Sequence, residues 1–172
     1  TSDEIERFAL QEKDNGGVYF VPAFSGLFSP HWDPTARGIL VGLSRFSNKN
    51  HIARAVLESV AYQSYELIDS MEKDIGIEFN EIKVDGGMIV NNLLMQFQSD
   101  IFNKNLIAKN IKEITAYGAG LASYIFLKGI EINELKIEQK ISNTWSPNIS
   151  IDKRNNYIDM WSKAIEKSKN WI

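Results

Sequence analysis

Apolar residues spaced three or four positions apart predict a long helix over residues 49–74. Ser47 or Asn48 is suited to cap its start, because side-chain oxygens of both residue types accept hydrogen bonds from free backbone amides. Gly76 is suited to end the helix in a left-handed conformation. A helical face of apolar side chains is predicted to turn inward, and its members are Ile52, Val56, Val60, Leu67 and Met71, widened by Leu57, Ala61 and Ile68.

Four further helices are predicted from the same kind of pattern and from their caps. They are expected at residues 3–14, from Asn91 or Asn92 to Phe102, from Thr115 to Lys128, and at residues 152–171. The third of these contains Gly118 and Gly120. Because a glycine inside a helix costs roughly 1 kcal/mol relative to alanine, two of them predict that another group passes very close to this helix.

Short apolar runs between the helices predict strands at residues 18–21, 38–43, 82–84 and 106–108. The run at 38–43 contains no polar residue, which predicts burial on both faces. Residues 131–151 show neither the helical nor the strand spacing of apolar residues and are predicted to be mostly irregular. Since strands alternate with helices through the middle of the chain, the pattern predicts an α/β fold with parallel strands and covering helices.

Composition narrows the function. The 172 residues carry a net charge of −3, which disfavours nucleic-acid binding because that function needs a basic excess. Without cysteine, the chain has no disulfides, thiolate chemistry or cysteine zinc sites, and two histidines make a histidine-rich metal site improbable. The sequence has no apolar run of membrane-spanning length and no signal-like start, so a cytoplasmic location is expected.

The predicted strand at 82–84 leads directly into Asp85, Gly86 and Gly87, here called the double-glycine turn. Ligands of open α/β sheets bind beyond the carboxyl ends of strands, and two glycines let backbone amides approach phosphate oxygens. Asp85 is a candidate to accept hydrogen bonds from magnesium-bound water, and the helix near Asn91 would add its positive end. On the tripeptide alone, however, a tight turn is favoured.

Other polar residues each have a ligand-binding and a structural interpretation. Asn91 and Asn92 offer amides that suit a purine edge, or they are helix caps. Residues 115–119 either press against an adenine pocket or pack closely on a sheet. In the loop at 24–37, Asp33 is most simply a turn initiator and Arg37 a phosphate ligand or a partner of Asp33. The remaining candidates are interpreted structurally, and they are His31, Trp32, His51, Tyr62 and Tyr65.

The order of these segments is more specific than any one of them. Residues 22–27 (PAFSGL) and 30–38 (PHWDPTARG) resemble the FGGY carbohydrate kinases. Residues 38–43 (GILVGL), followed after seven residues by 51–58 (HIARAVLE), look like the second signature of that family. The resemblance runs from about Asn15 to Trp171. Within the family, Trp32 and residues 92–100 are most similar to the members that phosphorylate glycerol.

The resemblance implies an actin/hexokinase-like, ribonuclease H-like α/β domain. Residues 1–172 would form most of the second, nucleotide-binding domain of a two-domain kinase, incomplete at its N-terminus. Gly87 would lie against the nucleotide and Asn91 would contact its adenine end, with Gly86 and Asp85 in support. The catalytic base and the substrate contacts would lie upstream of Thr1, so that this piece alone would be inactive.

The implied activity is transfer of the γ-phosphoryl group of ATP, with Mg²⁺, to glycerol. The complete protein would be a homo-oligomer, without nucleic-acid partners. A pentulose kinase of the same family and a non-catalytic nucleotide-sensing module of the same fold remain alternatives. Three departures from the family pattern stand out: Met88 replaces the usual alanine, Gly120 replaces another alanine, and Phe28 stands where glycine or tyrosine is usual. Met88 is expected to narrow the nucleotide pocket.

Overall fold

A computed structural model describes residues 2–109, 114–135 and 141–172. In chain order the elements of these ranges are α1 (Ser2–Ala9), β1 (Tyr19–Val21), β2 (Ile39–Val41), α2 (Lys49–Ile75), β3 (Glu81–Val84), α3 (Asn92–Phe102), β4 (Asn105–Lys109), α4 (Ile114–Lys128), β5 (Ile141–Trp145) and α5 (Ile151–Ser168). Two short 3-10 helices occupy Gly87–Val90 and Ile132–Glu134. None of the helices in the described ranges combines the length and apolar character needed to cross a bilayer.

The strands form two small sheets. β1 pairs antiparallel with β2, and in the second sheet β4 lies between a parallel β3 and an antiparallel β5. The prediction of parallel strands is therefore correct for β3 and β4 and wrong for the other pairs. The prediction that residues 38–43 are buried on both faces is also wrong. Each residue of β2 is only partly buried, because within the described ranges this strand pairs with β1 alone.

The long helix α2 begins and ends as its sequence predicts. The Asn48 side chain accepts from the backbone amides of Asn50 and His51, and the His51 Nδ1 accepts in return from the Asn48 amide at 3.3 Å. At the other end Gly76 adopts φ 68°. This reciprocal cap satisfies amides that the first turn leaves free, and it gives His51 a capping role in agreement with its structural interpretation.

The buried face of α2, in contrast, was predicted only in part. Leu57 and Ala61 are buried as predicted, and Ile68 packs against the core. Val60, Leu67 and Met71 are exposed instead, whereas Ala55 and Tyr62 are buried. Tyr62 is the centre of the core because its ring stacks on Trp161 of α5 at 4.9 Å between centroids and meets Phe97 of α3 edge-on at 5.4 Å.

Helix α4 is apolar on all sides, yet none of its residues is buried. A Cβ atom added at Gly118 or Gly120 would meet no atom within 4 Å among the described residues. The predicted close approach to these glycines is therefore not found in this part of the chain. Thr115 is not the cap, because the helix already includes Ile114. Gly129 ends the helix at φ 62°, as predicted.

Candidate functional site: the double-glycine turn

The double-glycine turn follows β3 at the carboxyl end of a parallel strand pair. The chain leaves β3 at Val84, passes through the turn and enters the 3-10 helix Gly87–Val90. Asp85, Gly86 and Gly87 are all exposed. Since this end of a parallel pair is where α/β proteins bind ligands, the fold places the turn where a ligand site is expected.

The two glycines are required for different reasons. Gly86 has φ 88°, a backbone conformation that residues with a side chain rarely adopt. Gly87 has no positive φ, and a Cβ atom there would meet nothing within 4 Å among the described residues. Turn geometry therefore explains Gly86, whereas no conformation or contact in the described chain explains Gly87. The surface above Gly87 is open to a ligand that approaches the backbone.

Asn91 caps α3 and is nearly buried. Its Oδ1 accepts from the backbone amide of Leu94 at 2.8 Å, and the residue is 7% exposed. The prediction of a cap at Asn91 is confirmed. Asn92 instead belongs to the first turn of α3, where its Oδ1 accepts from the indole Nε1 of Trp145 at 3.3 Å. This contact joins α3 to β5, so Asn92 has a structural partner of its own.

A carboxylate already occupies the start of α3. The Glu6 Oε1 of α1 accepts from the backbone amide of Leu93 at 3.0 Å, next to the amide that Asn91 satisfies. A second anion at this helix end would meet an occupied amide and a like charge. The predicted contribution of this helix end to phosphate binding is therefore reduced, which leaves the backbone of Gly86 and Gly87 as the open donor surface. Sequence spacing could not reveal Glu6, because this residue lies in a polar helix that is far from the turn along the chain.

The candidates of the 24–37 loop have structural roles. Asp33 Oδ1 accepts from the backbone amide of Thr35 at 2.8 Å and from its hydroxyl at 2.6 Å, and the hydroxyl bond is the main reason why its pKa is lowered. Arg37 donates to the carbonyls of Pro34 and Ala36 and not to Asp33. His31 Nε2 lies 2.9 Å from Glu66 Oε1, which anchors the loop to α2.

That anchored loop borders a cavity of about 480 Å³ between residues 22–31 and α2. Its wall carries Phe24, Phe28 and Leu67 beside His31 and Glu66. The cavity does not include the double-glycine turn, so the structure does not bring the loop candidates and the turn into one pocket. Nor do the described residues gather three His, Asp or Glu side chains that would hold a metal ion, and Asp85 is not part of such a set.

One buried polar cluster was not predicted from the sequence. Glu58 of α2 accepts from the Arg54 Nε at 2.8 Å and from the Asn15 Nδ2 at 2.9 Å, and it is 3% exposed. Burial raises the pKa of its carboxyl to about 7, against the lowering effect of Arg54. Arg54 also donates to the Glu12 carbonyl. The cluster therefore fastens residues 12–15 to α2, and Arg54 and Glu58 both belong to the segment that carries the family resemblance.

These features define the C-terminal domain of a sugar kinase family. A family model described as "FGGY family of carbohydrate kinases, C-terminal domain" matches residues 2–125. The match covers well over half of the chain, and the chain belongs to this family.

Three known proteins illustrate the likeness. The glycerol kinase of Corynebacterium kroppenstedtii is 48% identical over 168 residues, covering 97% of this chain and 33% of that protein. The crystal structure of Plasmodium falciparum glycerol kinase with ADP has a TM-score of 0.83 and 33% identity, covering 96% of this chain and 33% of that one. A ligand-bound xylulose kinase of Lactobacillus acidophilus, with a TM-score of 0.78 and 22% identity over 97% of this chain and 34% of that one, shows the fold alone.

The chain spans about a third of the length of the curated relatives that it matches. Its likeness to these kinases over nearly its whole length confirms the predicted actin/hexokinase-like α/β fold. It also confirms the resemblance drawn from residues 22–38, 38–58 and 92–100. The roles of Asp85, Gly86, Gly87 and Asn91 in binding, and the extent of the domain over residues 1–172, stay predictions.

Proposed function

We propose that this chain is the nucleotide-binding part of a glycerol kinase, which transfers the γ-phosphoryl group of ATP to glycerol and yields sn-glycerol 3-phosphate and ADP. Identity of 48% to a glycerol kinase and likeness to a glycerol kinase solved with ADP support this activity. The observation in the chain itself that carries the proposal is Gly87, because no φ angle or contact in the described residues explains its lack of a side chain, whereas a nucleotide lying against its backbone would.

In this proposal the double-glycine turn holds the nucleotide by its backbone. The exposed amides of Gly86 and Gly87 donate to the nucleotide, and the absence of Cβ atoms allows the close approach that such bonds need. Asn91 Oδ1 is committed to the Leu94 amide, so its Nδ2 group is the part that would donate to the adenine end. Asp85, exposed beside the turn, has a supporting role.

Phosphoryl transfer forms a bond between a terminal oxygen of glycerol and the γ-phosphorus and breaks the bond from that phosphorus to the β–γ bridging oxygen. The hydroxyl proton passes to a base. Such catalysis consists mostly of positioning and electrostatic stabilisation, and this chain contributes the positioning of ADP. We place the base and the glycerol contacts in the two thirds of the relatives' length that this chain does not span. Magnesium would accompany ATP, and the described residues gather no group of three His, Cys, Asp or Glu side chains that could hold it by themselves.

A Gly87→Val variant is expected to bind ADP at least about tenfold more weakly than the wild-type chain while folding equally well. Among the described residues a Cβ there meets no atom within 4 Å, and the backbone has no positive φ, so the folded chain is expected to accept the new side chain. It would instead occupy the space that the nucleotide needs, since overpacking at a close contact costs about 1–3 kcal/mol. Calorimetric titration with ADP and thermal unfolding measure the two effects.

The proposed site would be contradicted if the wild-type chain had no affinity for ADP, or if the Gly87→Val variant bound ADP as well as the wild type. Catalytic competence is tested by a chimera in which residues 1–172 replace the corresponding third of the C. kroppenstedtii glycerol kinase. We expect the chimera to phosphorylate glycerol and to lose this activity with Gly87→Val. A folded chimera that binds ADP but transfers no phosphoryl group would favour a nucleotide-sensing module instead.

An Asn91→Ser variant is expected to separate capping from ligand binding. Serine caps helices about as well as asparagine, so the unfolding midpoint should change little. It lacks the amide group and its reach, so ADP affinity should fall by about three- to tenfold, as expected for one lost hydrogen bond. Asn48→Ser makes the same change at the start of α2 and serves as the matched control. Equal ADP affinity in both variants would limit Asn91 to its structural role.

A further inference from the structure

Helix α1 places the carboxylate of Glu6 at the start of α3. The Glu6 Oε1 accepts from the backbone amide of Leu93 at 3.0 Å, across 87 positions of sequence. The next amide of the helix, that of Leu94, donates to the Asn91 Oδ1 at 2.8 Å. Two consecutive amides in the first turn of α3 are therefore fixed by two side chains, one from the local cap and one from a distant segment.

The start of α2 shows how a helix of this chain begins with a local cap. There the Asn48 side chain accepts from the backbone amides of both Asn50 and His51. The start of α3 differs because another helix supplies the second acceptor. A hydrogen bond to a carboxylate is roughly twice as strong as one between neutral groups. Glu6 therefore holds the backbone beside Asn91 more firmly than the local cap would hold it alone.

The segment that carries Glu6 is itself fastened to α2. Since an isolated helix as short as the eight residues of α1 is not stable in water, α1 depends on contacts with the rest of the chain. Ala9 at its end is fully buried. Shortly after it, Glu12 accepts from the Asn48 Nδ2 at 2.8 Å through its side chain and from the Arg54 Nη1 at 2.8 Å through its carbonyl. Glu6 is thus presented to α3 from a fixed support, as the groups behind a preorganised site must be.

We propose that Glu6 is a positioning residue for the nucleotide. Through the Leu93 amide it holds the first turn of α3, and with it Asn91, in the orientation in which the Asn91 amide group meets the adenine end. The inference rests on the proposed function of the chain. Glu6 itself would not touch the nucleotide, so it is not a catalytic residue. Its hydrogen bond removes motion that binding would otherwise have to freeze, and the cost of such ordering lowers affinity.

The charge of Glu6 fits the neutral end of a nucleotide better than the charged end. A carboxylate at a helix start repels phosphate and occupies an amide that phosphate would use. The adenine end carries no charge and meets no such repulsion. The phosphates are then directed to the backbone of Gly86 and Gly87, because the intervening 3-10 helix separates it from Asn91.

A Glu6→Ala variant is expected to bind ADP about fivefold more weakly than the wild-type chain, because Asn91 loses part of its fixed orientation. Affinity for pyrophosphate, which has no base, should stay equal or rise, since the variant removes a negative charge and frees the Leu93 amide. Calorimetric titration measures both affinities. A purely structural role would lower both together. Glu4→Ala is the matched control, because it removes a carboxylate of α1 that pairs with Arg7, and it should leave both affinities unchanged.

Two further substitutions separate the hydrogen bond from the charge and keep the test valid if Glu6→Ala folds poorly. Glu6→Gln keeps the reach and an acceptor oxygen, so it should bind ADP within about twofold of the wild type. Glu6→Asp keeps the charge but is one methylene shorter, so it should lose ADP affinity as Glu6→Ala does. Thermal unfolding verifies that each variant is folded at the temperature of the titration.

A double-mutant cycle tests whether Glu6 acts through Asn91. In the Asn91→Ser chain, Glu6→Ala should cause little further loss of ADP affinity, because the group that Glu6 positions is gone. Equal fold losses with and without Asn91→Ser would mean that Glu6 acts by another route and would overturn the inference.

Two other results would refute the positioning role alone, provided that Gly87→Val still weakens ADP binding. One is an ADP affinity that neither Glu6→Ala nor Glu6→Asp changes. The other is a parallel fall in ADP and pyrophosphate affinity in these variants. A wild-type chain that binds no ADP would instead remove the proposed function together with this inference.

Discussion

A Gly42→Ala variant is expected to lose more than about 4 kcal/mol of folding free energy, a loss found only for severe substitutions. Gly42 follows β2 with φ 81°, and a Cβ atom at this position would overlap the backbone carbonyl of Gly17. Because the obstacle is backbone on the turn that precedes β1, no side-chain rotation relieves it. One of the two chain segments must move, which disturbs the β1–β2 pairing. Because an ordinary domain has a total unfolding free energy of about 5–15 kcal/mol, a loss of this size would remove a large part of it.

Urea unfolding followed by tryptophan fluorescence, to which the buried Trp161 contributes, measures this loss. The matched control is Gly76→Ala, because Gly76 has a similar φ of 68° but an added Cβ there meets no atom of the described residues within 4 Å. It should cost only about 1–2 kcal/mol, the price of the left-handed conformation for a residue with a side chain. Similar losses at both positions would mean that backbone conformation, and not the contact with Gly17, makes Gly42 necessary.

Local sequence signals predicted the structure of the chain well where the chemistry of nearby backbone groups decides it. Asn48, Gly76 and Asn91 were assigned as caps or ends from residue type and position, and each has that role. A side-chain oxygen beside free amides, or a glycine that accepts positive φ, acts over a few residues whatever the rest of the fold does. For the same reason the double-glycine turn could be located at the end of β3.

Features that depend on distant partners could not be predicted in this way. Part of the apolar face of α2 was misplaced, because Tyr62, rather than Val60 or Leu67, meets the rings of α3 and α5. β5 was missed because only Trp145 of its five residues is buried, so that no apolar run marks the strand. Both errors arise because burial depends on which elements pack together, and that choice is not encoded in the local periodicity.

The candidate site shows the same division. Residue type and order singled out the double-glycine turn and Asn91. They did not reveal the Glu6 carboxylate at the start of α3, although it changes which amides a nucleotide can use. They also did not show which glycine the turn itself requires, whereas the dihedral angles separate Gly86, which the turn requires, from Gly87, which the described fold does not explain.

The second large effect concerns pH. Between about pH 5 and pH 7.5 the stability of the chain is expected to decrease by as much as roughly 3 kcal/mol because of Glu58 alone. Burial raises the pKa of this carboxyl from its ordinary value of 4.5 to about 7 in the folded chain. Between these values the unfolded chain has released the proton that the folded chain still binds. Since the folded state then binds more protons, the free energy of unfolding falls as pH rises and levels off above the folded pKa.

Urea unfolding at half-unit steps of pH, for the wild type and a Glu58→Gln variant, isolates this contribution. The variant cannot ionise and keeps an oxygen that accepts from Arg54, so its stability should vary less with pH over this interval. Glu166→Gln removes an exposed carboxylate that pairs with Lys169 and should reproduce the wild-type profile. Contributions that all three proteins share cancel in the differences.

The sign of the difference decides which force governs the Asn15–Arg54–Glu58 cluster. If attraction to Arg54 prevailed, the carboxylate would be favoured in the folded state and stability would rise with pH as Glu58 ionises. If desolvation prevails, as the 3% exposure of Glu58 implies, stability falls over the same interval. Removing Arg54 should then steepen the fall, because a buried carboxylate without its partner costs about 3–5 kcal/mol. We expect an Arg54→Met variant to be more stable at pH 5 than at pH 8, and by a wider margin than the wild type. A narrower margin would assign the raised pKa of Glu58 to another cause.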